Sequence, residues 1–164
     1  GYPNGFDGGD LTPLPPFTTM GEALGNSLAG AGIRTRVRSM ERATFLESWR
    51  SKKLQGLIAN ATAAQGNAAS RLEAFVVSGS AYAYGGYPDL DDLFLQQAQE
   101  RDRKKREALL HQMQRLIHER VMHAPIFEPA TLHGVGPRVE EPAIGLSPLL
   151  YMAAPYEEMR LKKR

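Results

Sequence analysis

GEALGNSLAGAGIRTRVRSMERATFLESWR, residues 21 to 50, changes its hydrophobic period twice and thereby decides the fold class. Leading into and through it, Met20, Ala23, Leu24, Leu28 and Ala31 recur at helical spacing. Thr18 or Thr19 precedes the run, and Thr19 with Glu22 has the form of a capping box. Gly30 or Gly32 supplies the stop, because glycine accepts the left-handed position that ends many helices. Ile33, Thr35 and Val37 then alternate with Arg34, Arg36 and Arg38, the two-residue period of a half-buried strand. Phe45, Leu46 and Trp49 restore the helical period over about Ala43 to Lys52, and Leu54 to Ala59 reads as a short interior strand. Helix, strand, helix, strand is the order that builds a layered α/β domain.

Upstream, GYPNGFDGGD (1–10) is loop-like in composition, and LTPLPPF (11–17), with three prolines, is expected to be neither helix nor central strand. Downstream, Asn60 to Asn67 makes a small polar loop, and residues 68 to 77 form a helix with Leu72, Phe75 and Val76 inward. After SGSAYAYGGY (78–87), Pro88 opens a helix whose first turn carries Asp89, Asp91 and Asp92, complementing its dipole. The longest helix is expected from about Asp102 to His123, with Leu109, Met113, Leu116, Ile117 and Val121 as its apolar stripe. Two short strands, near Ala124–Glu128 and Thr131–Val135, and a polar tail complete the chain.

Composition narrows the function. With 164 residues and 42% hydrophobic content the chain has material for a hydrophobic core, and the +2 formal charge is a small excess on a balanced background. The absence of cysteine excludes disulfides, thiolate catalysis and Cys-type zinc sites. No apolar run reaches the roughly 18 residues of a membrane helix. His118 and His123 in HERVMH are five residues apart, about 140° on a regular helix, so they cannot share a metal as a zincin pair does. Asp89, Asp91 and Glu100 fit positions of a calcium loop, but Phe94 stands where its glycine is needed. No P-loop, dinucleotide fingerprint or nucleophile elbow is present, so no enzyme activity, cofactor or metal is expected. Arg34, Arg36 and Arg38 put three guanidiniums on one strand face, either as a solvated face or as phosphate contacts. Tyr82, Tyr84 and Tyr87 either stack on a flat ligand or plug their loop onto the domain.

The joint order of motifs resembles the C-terminal part of the family 5 solute-binding proteins, the dipeptide, oligopeptide and nickel receptors of bacterial ABC importers. GYPNGFD (1–7), the quoted 21–50 stretch, YPDLDDL (87–93), REALLHQMQRLIHE (106–119), APIFEP (124–129) and GVGPRV (134–139) carry the resemblance across essentially the whole chain. It implies a periplasmic-binding-protein type II-like lobe, a mixed sheet flanked by helices, present as a partial α/β domain. Residues 1–145 would be part of the C-terminal lobe, and 146–164 a tail returning toward a first lobe that lies outside the chain. On this expectation Gly1 is an internal residue of a longer receptor, and the face that packed on the rest is apolar and favours self-association.

The resemblance also implies non-catalytic capture of a peptide-like or other small polar solute and delivery to an ABC permease. The place would be the periplasm or the cell exterior, with a lipoprotein anchor on the full-length receptor. Ligand contacts in the family come from the loop after the strand that is LQGLIA here. That places Asn60, Thr62, Gln65 and Asn67 as neutral hydrogen-bonding groups, Arg71 as a carboxylate or phosphate partner, and Tyr82 and Tyr84 as walls. For the amides, loop and cap chemistry is the plain alternative. The rival from another class is a basic α/β module that binds nucleic acid through Arg34, Arg36 and Arg38; the solute-receptor reading has no nucleic-acid partner.

Overall fold

Leu11, Thr12, Pro13 and Leu14 are all buried, and the first part of the chain is arranged around them. The computed structural model describes residues 1–62, 67–128, 132–144 and 155–162, in two compact units, 1–114 and 115–164. In the first unit β1 (Phe6–Pro13) is the central strand of a three-stranded sheet, between β2 (Ile33–Val37) and β3 (Leu57–Ala59). Both pairings are parallel, with Leu11 opposite Val37 on one side and Leu57 on the other.

This placement corrects the expectation for LTPLPPF, whose first three residues end the central strand. Proline is tolerated there because of where its missing N–H would point. The Arg38 N–H donates to the Leu11 carbonyl at 2.9 Å and the Leu14 N–H to the Ala59 carbonyl at 2.8 Å. Strand alternation then aims the nitrogen of Pro13 at the β2 side, beyond the last residue of β2. No ladder bond is lost.

The two faces of β1 take different partners, as the two-residue period requires. Helix α1 (Thr18–Gly30) lies on the Leu11 and Pro13 face and approaches through glycine. A Cβ on Gly21 would lie 2.8 Å from the Pro13 ring, and one on Gly25 would lie 3.3 Å from Val37 Cγ2. The Thr19 capping box does not form: Phe17 is the N-cap residue and no side chain caps the helix. On the other face Leu14 joins Phe45, Trp49 and Leu54, with Ile58, Phe75 and Tyr82 packed around them. Phe45 and Trp49 come from α2 (Arg42–Arg50) and meet edge to face at 5.4 Å. Leu54 belongs to the approach to β3, which is shorter than the expected Leu54–Ala59.

Strand β2 has the expected alternation, with Ile33, Thr35 and Val37 half-buried and Arg34 and Arg36 exposed. A bulge in β1 between Asp7 and Gly9 shifts the register against it. Gly9, at φ +77°, takes the left-handed turn that a side chain would strain, and its N–H donates to Asp7 Oδ1 at 2.8 Å.

Three helices follow: α3 (Ala68–Phe75), α4 (Pro88–Gln99) and α5 (Arg103–Glu119). Pro88 stands in the first turn of α4 with Asp89 and Asp91, as expected. Arg106 on α5 donates from Nε to Oε1 of the buried Gln97 on α4, at 3.3 Å. Helix α5 stops at Glu119, short of His123. The Met122 N–H reaches back to the Ile117 carbonyl at 3.1 Å while Val121 sits at φ +49°, a Schellman-type closure without its usual glycine. The string from His118 to His123 is therefore helical only at His118 and Glu119.

In the second unit β4 (Val139–Glu141) pairs antiparallel with β5 (Arg160–Leu161), and a 3-10 turn covers Tyr156–Glu158. Residues 122–128 and 132–136 have no ladder partner among the described residues, so the two expected strands are absent there, and Thr131 lies outside the described set. Within this irregular stretch Ile126, Phe127 and Leu132 are more than half exposed.

Close approach of α1 to the sheet predicts opposite outcomes for two glycines of one helix. Gly21→Ala, pressed against the buried and rigid Pro13, is expected to lose about 1–3 kcal/mol in urea denaturation. Gly30→Ala meets nothing within 4 Å and is expected to be neutral or stabilising by up to about 1 kcal/mol. Equal effects at the two positions would contradict this packing.

Candidate functional site

In the order β2-β1-β3, the chain leaves β1 through α1 to the strand on one side, then crosses through α2 to the strand on the other. Such a reversal opens a crevice at the carboxyl ends of the strands, where the connecting loops diverge, and open α/β sheets bind ligands there. Here the diverging pair is β1 and β3.

Three segments meet at this end of the sheet. After β1 the chain turns through Leu14–Phe17, closed by the Phe17 N–H on the Leu14 carbonyl at 2.8 Å, and enters α1. The first-turn N–H groups of Thr18, Thr19 and Met20 are left without a side-chain cap. After β2 the chain enters α2, whose first residue Arg42 donates from its guanidinium to the Pro15 carbonyl at 3.0 Å. After β3 come Asn60 and Thr62. Among the described residues neither side chain has a hydrogen-bond partner, and Asn60 is half-buried. Gln65 lies outside the described residues. Asn67 caps α3, accepting from the Ala69 N–H at 3.1 Å, which is the cap chemistry weighed for it. Arg71 is half-buried one turn further on and has an interaction partner of its own.

Tyr82 and Tyr84 are elsewhere, against the carboxyl end of α2. Tyr82 packs on Trp49 at 4.9 Å and on Phe75 at 5.1 Å, its hydroxyl accepts from Arg50, and its carbonyl accepts from Trp49 Nε1 at 3.1 Å. The Tyr84 hydroxyl accepts from the Leu54 N–H at 3.2 Å and donates to the Trp49 carbonyl at 3.4 Å. Lys52 Nζ adds bonds to the Ser80 and Ala81 carbonyls and lies over the Tyr84 ring. Both tyrosines fasten the 78–87 loop to α2, and the structure does not bring them to Asn60. Sequence reasoning missed Arg42 and the uncapped start of α1; the signal for both was the strand order.

The arginine face of β2 is occupied by acids of β1. Arg36 bonds Asp10 at 3.1 Å and Asp7 at 3.3 Å, and Arg38 bonds Asp10 at 3.4 Å. Arg34 donates to the Asn4 carbonyl at 3.1 Å. The Gly9 N–H and then the Arg36 charge hold the Asp7 carboxyl below its ordinary range. A phosphate would have to displace these partners.

No protein-family model and no curated protein sequence matches the chain. Solved structures do. The peptide-complexed periplasmic binding protein DppA of Helicobacter pylori superposes with a TM-score of 0.60 at 22% identity, over 73% of this chain and 25% of its own. The fold is that of a segment of a periplasmic-binding-protein lobe. HbpA2 of Haemophilus parasuis gives a TM-score of 0.64 at 18% identity over 72% of this chain. A nickel ABC transporter protein of Bacillus halodurans gives 0.60 at 20% identity over 73%. The chain spans about a quarter of the length of each. Against this binding-protein lobe, the parallel sheet with a helix on each face is the expected α/β architecture.

At the crevice end of α2, Oε2 of Glu41 accepts from the Ala43 N–H at 2.8 Å and the Thr44 N–H at 3.2 Å. Those bonds, Ala43 first, hold its carboxyl below the ordinary value. A depressed carboxylate contributes stability above its unfolded pKa and loses it as pH falls through the folded one. Glu41→Gln is therefore expected to lower the melting temperature at neutral pH, with the difference from wild type shrinking in acid. Circular-dichroism melts at both pH values check this; a pH-independent difference would contradict the cap.

Proposed function

We propose that the chain is the ligand-binding lobe of a non-catalytic solute receptor. It captures a small polar or peptide-like solute in the crevice at the carboxyl ends of β1 and β3. The observation that carries this reading is the half-buried Asn60, unpartnered among the described residues, at the switch point of a binding-protein fold. Asn60 and Thr62 offer neutral hydrogen-bonding groups to the solute, Gln65 is assigned the same role from its place in the sequence, and Asn67 and Arg71 belong to the start of α3 that follows. The uncapped first turn of α1 supplies N–H donors suited to a carboxylate or carbonyl end of the solute. Tyr82 and Tyr84 stand outside the site in this reading: Tyr82 packs on Trp49 and Phe75, Tyr84 bonds the Trp49 carbonyl, and both fasten the 78–87 loop rather than wall the solute.

In this reading the chain serves a longer receptor, with residues 1–145 in its C-terminal lobe and 146–164 leading back toward a first lobe. The receptor works in the periplasm or at the cell exterior, is held there by a lipid anchor, and hands its solute to an ABC permease. Among the described residues no helix is long and apolar enough to cross a membrane. Burying about 70% or more of a ligand takes two walls, so the chain alone binds weakly. Titration of the labelled chain with short peptides, followed by NMR, is expected to shift the amides of Asn60, Thr62 and Thr18 at high peptide concentration. Asn60→Ala is expected to weaken that binding roughly ten-fold by removing one buried hydrogen-bonding group. Shifts confined to other surfaces, or none at saturation, would sink the proposal.

Ile126, Phe127 and Leu132 are exposed apolar side chains that the rest of the receptor would cover. In its absence the chain is expected to self-associate as concentration rises. Sedimentation velocity reads this, and Phe127→Glu with Leu132→Glu is expected to return the monomer. A wild-type chain that stays monomeric over the whole concentration range counts against it.

A further inference from the structure

The start of α5 carries a charge arrangement that the fold itself does not use. Residues 101–106, RDRKKR, hold five cations in six positions, and the first turn of α5 has no acidic residue. Cations there oppose the helix dipole, whose positive end is the N-terminus. Asp102 is spent on the cap, accepting from the Lys105 N–H at 3.0 Å, and Glu100 accepts from the Asp102 N–H at 2.8 Å. Arg106 turns inward to Gln97. Among the described residues Arg101, Arg103, Lys104 and Lys105 have no ion-pair partner and all are exposed. The contrast with β2 is sharp: there Arg34, Arg36 and the following Arg38 each meet Asp7, Asp10 or a backbone carbonyl.

We propose that this turn docks the protein on the anionic phosphate headgroups of a membrane surface. Three observations favour a bilayer over a nucleic acid. Residues 95–112 contain no tryptophan, tyrosine or, after Phe94, phenylalanine, so no base-stacking platform accompanies the charge. The cations fan around a single helical turn of about 5 Å rise, which is too short a track to follow a strand of phosphates. Leu95, one turn before the end of α4 and six residues ahead of the first of these cations, is 57% exposed and is an apolar side chain suited to the headgroup boundary. The patch is distant in sequence from the crevice loops and uses none of their residues, so it stands or falls separately from solute capture.

The test is flotation of the purified chain with vesicles of phosphatidylcholine alone or with phosphatidylglycerol added. Binding is expected only to the anionic vesicles and is expected to vanish at high salt, where surface charges are screened. Each cation contributes roughly five-fold to partitioning, so Arg103→Glu with Lys104→Glu is expected to weaken binding by about 25-fold or more. The same pair places acids in the first turn of α5 and is expected to hold or raise the melting temperature, which separates lost docking from lost folding. Lys53→Glu with Lys162→Glu changes net charge equally and is expected to leave vesicle binding within a few-fold of wild type. Equal binding to neutral vesicles, or an equal loss in the Lys53 and Lys162 control, would overturn the proposal. So would tighter binding to a short DNA or RNA duplex that the Arg103 and Lys104 pair abolishes.

Discussion

Burial of the end of β1 on both faces is the constraint from which the first unit follows. A strand covered on one side by α1 and on the other by the Phe45–Trp49 cluster can expose neither Leu11 nor Leu14, so its register with both neighbours is fixed. It also dictates residue size. The α1 side admits a helix only at glycine distance from Pro13, whereas the α2 side is filled by aromatic rings. The thin and thick faces of the sheet are two answers to one buried segment.

The same constraint positions the crevice. Because β1 is central and its two neighbours are reached in opposite directions, three loops must part at its carboxyl end. The chain fills that end sparingly. Arg42 ties the Pro15 turn to the start of α2, and Asn67 secures α3, while Asn60 and Thr62 between them are left without partners among the described residues.

Much of this was legible in the sequence where local pattern and tertiary outcome agree. The alternation of Ile33, Thr35 and Val37 and the helical spacing of Phe45 and Trp49 are properties of a few neighbouring residues. What was not legible depended on partners far along the chain. The prolines of LTPLPPF argue against a central strand until the end of β2 shows that Pro13 has no bond to lose. Thr19 and Glu22 make a capping box on paper, but the turn through Pro15 and Pro16 delivers Phe17 to the cap position instead. The loop after β3 could be marked as a site from its place in the order of elements, whereas Arg42 and the start of α1 join it only through the strand order. Tyr82 and Tyr84 read equally well as walls or plugs, and only contacts with Trp49, more than 30 residues earlier, separate the two.

The bulge in β1 carries a further meaning. Asp7 and Asp10 are three apart, an odd interval, and in an unbroken strand their side chains would project from opposite faces. One would then lie on the α1 side, among Leu11 and Pro13, and the arginines would face a single acid. The extra residue at Gly8 resets the phase, so that both carboxylates meet the guanidinium row of β2 while the residues after them keep their places in the core. Charge pairing on one face and hydrophobic order on the other are thus reconciled by a single inserted glycine. Its deletion would force the strand to give up one or the other.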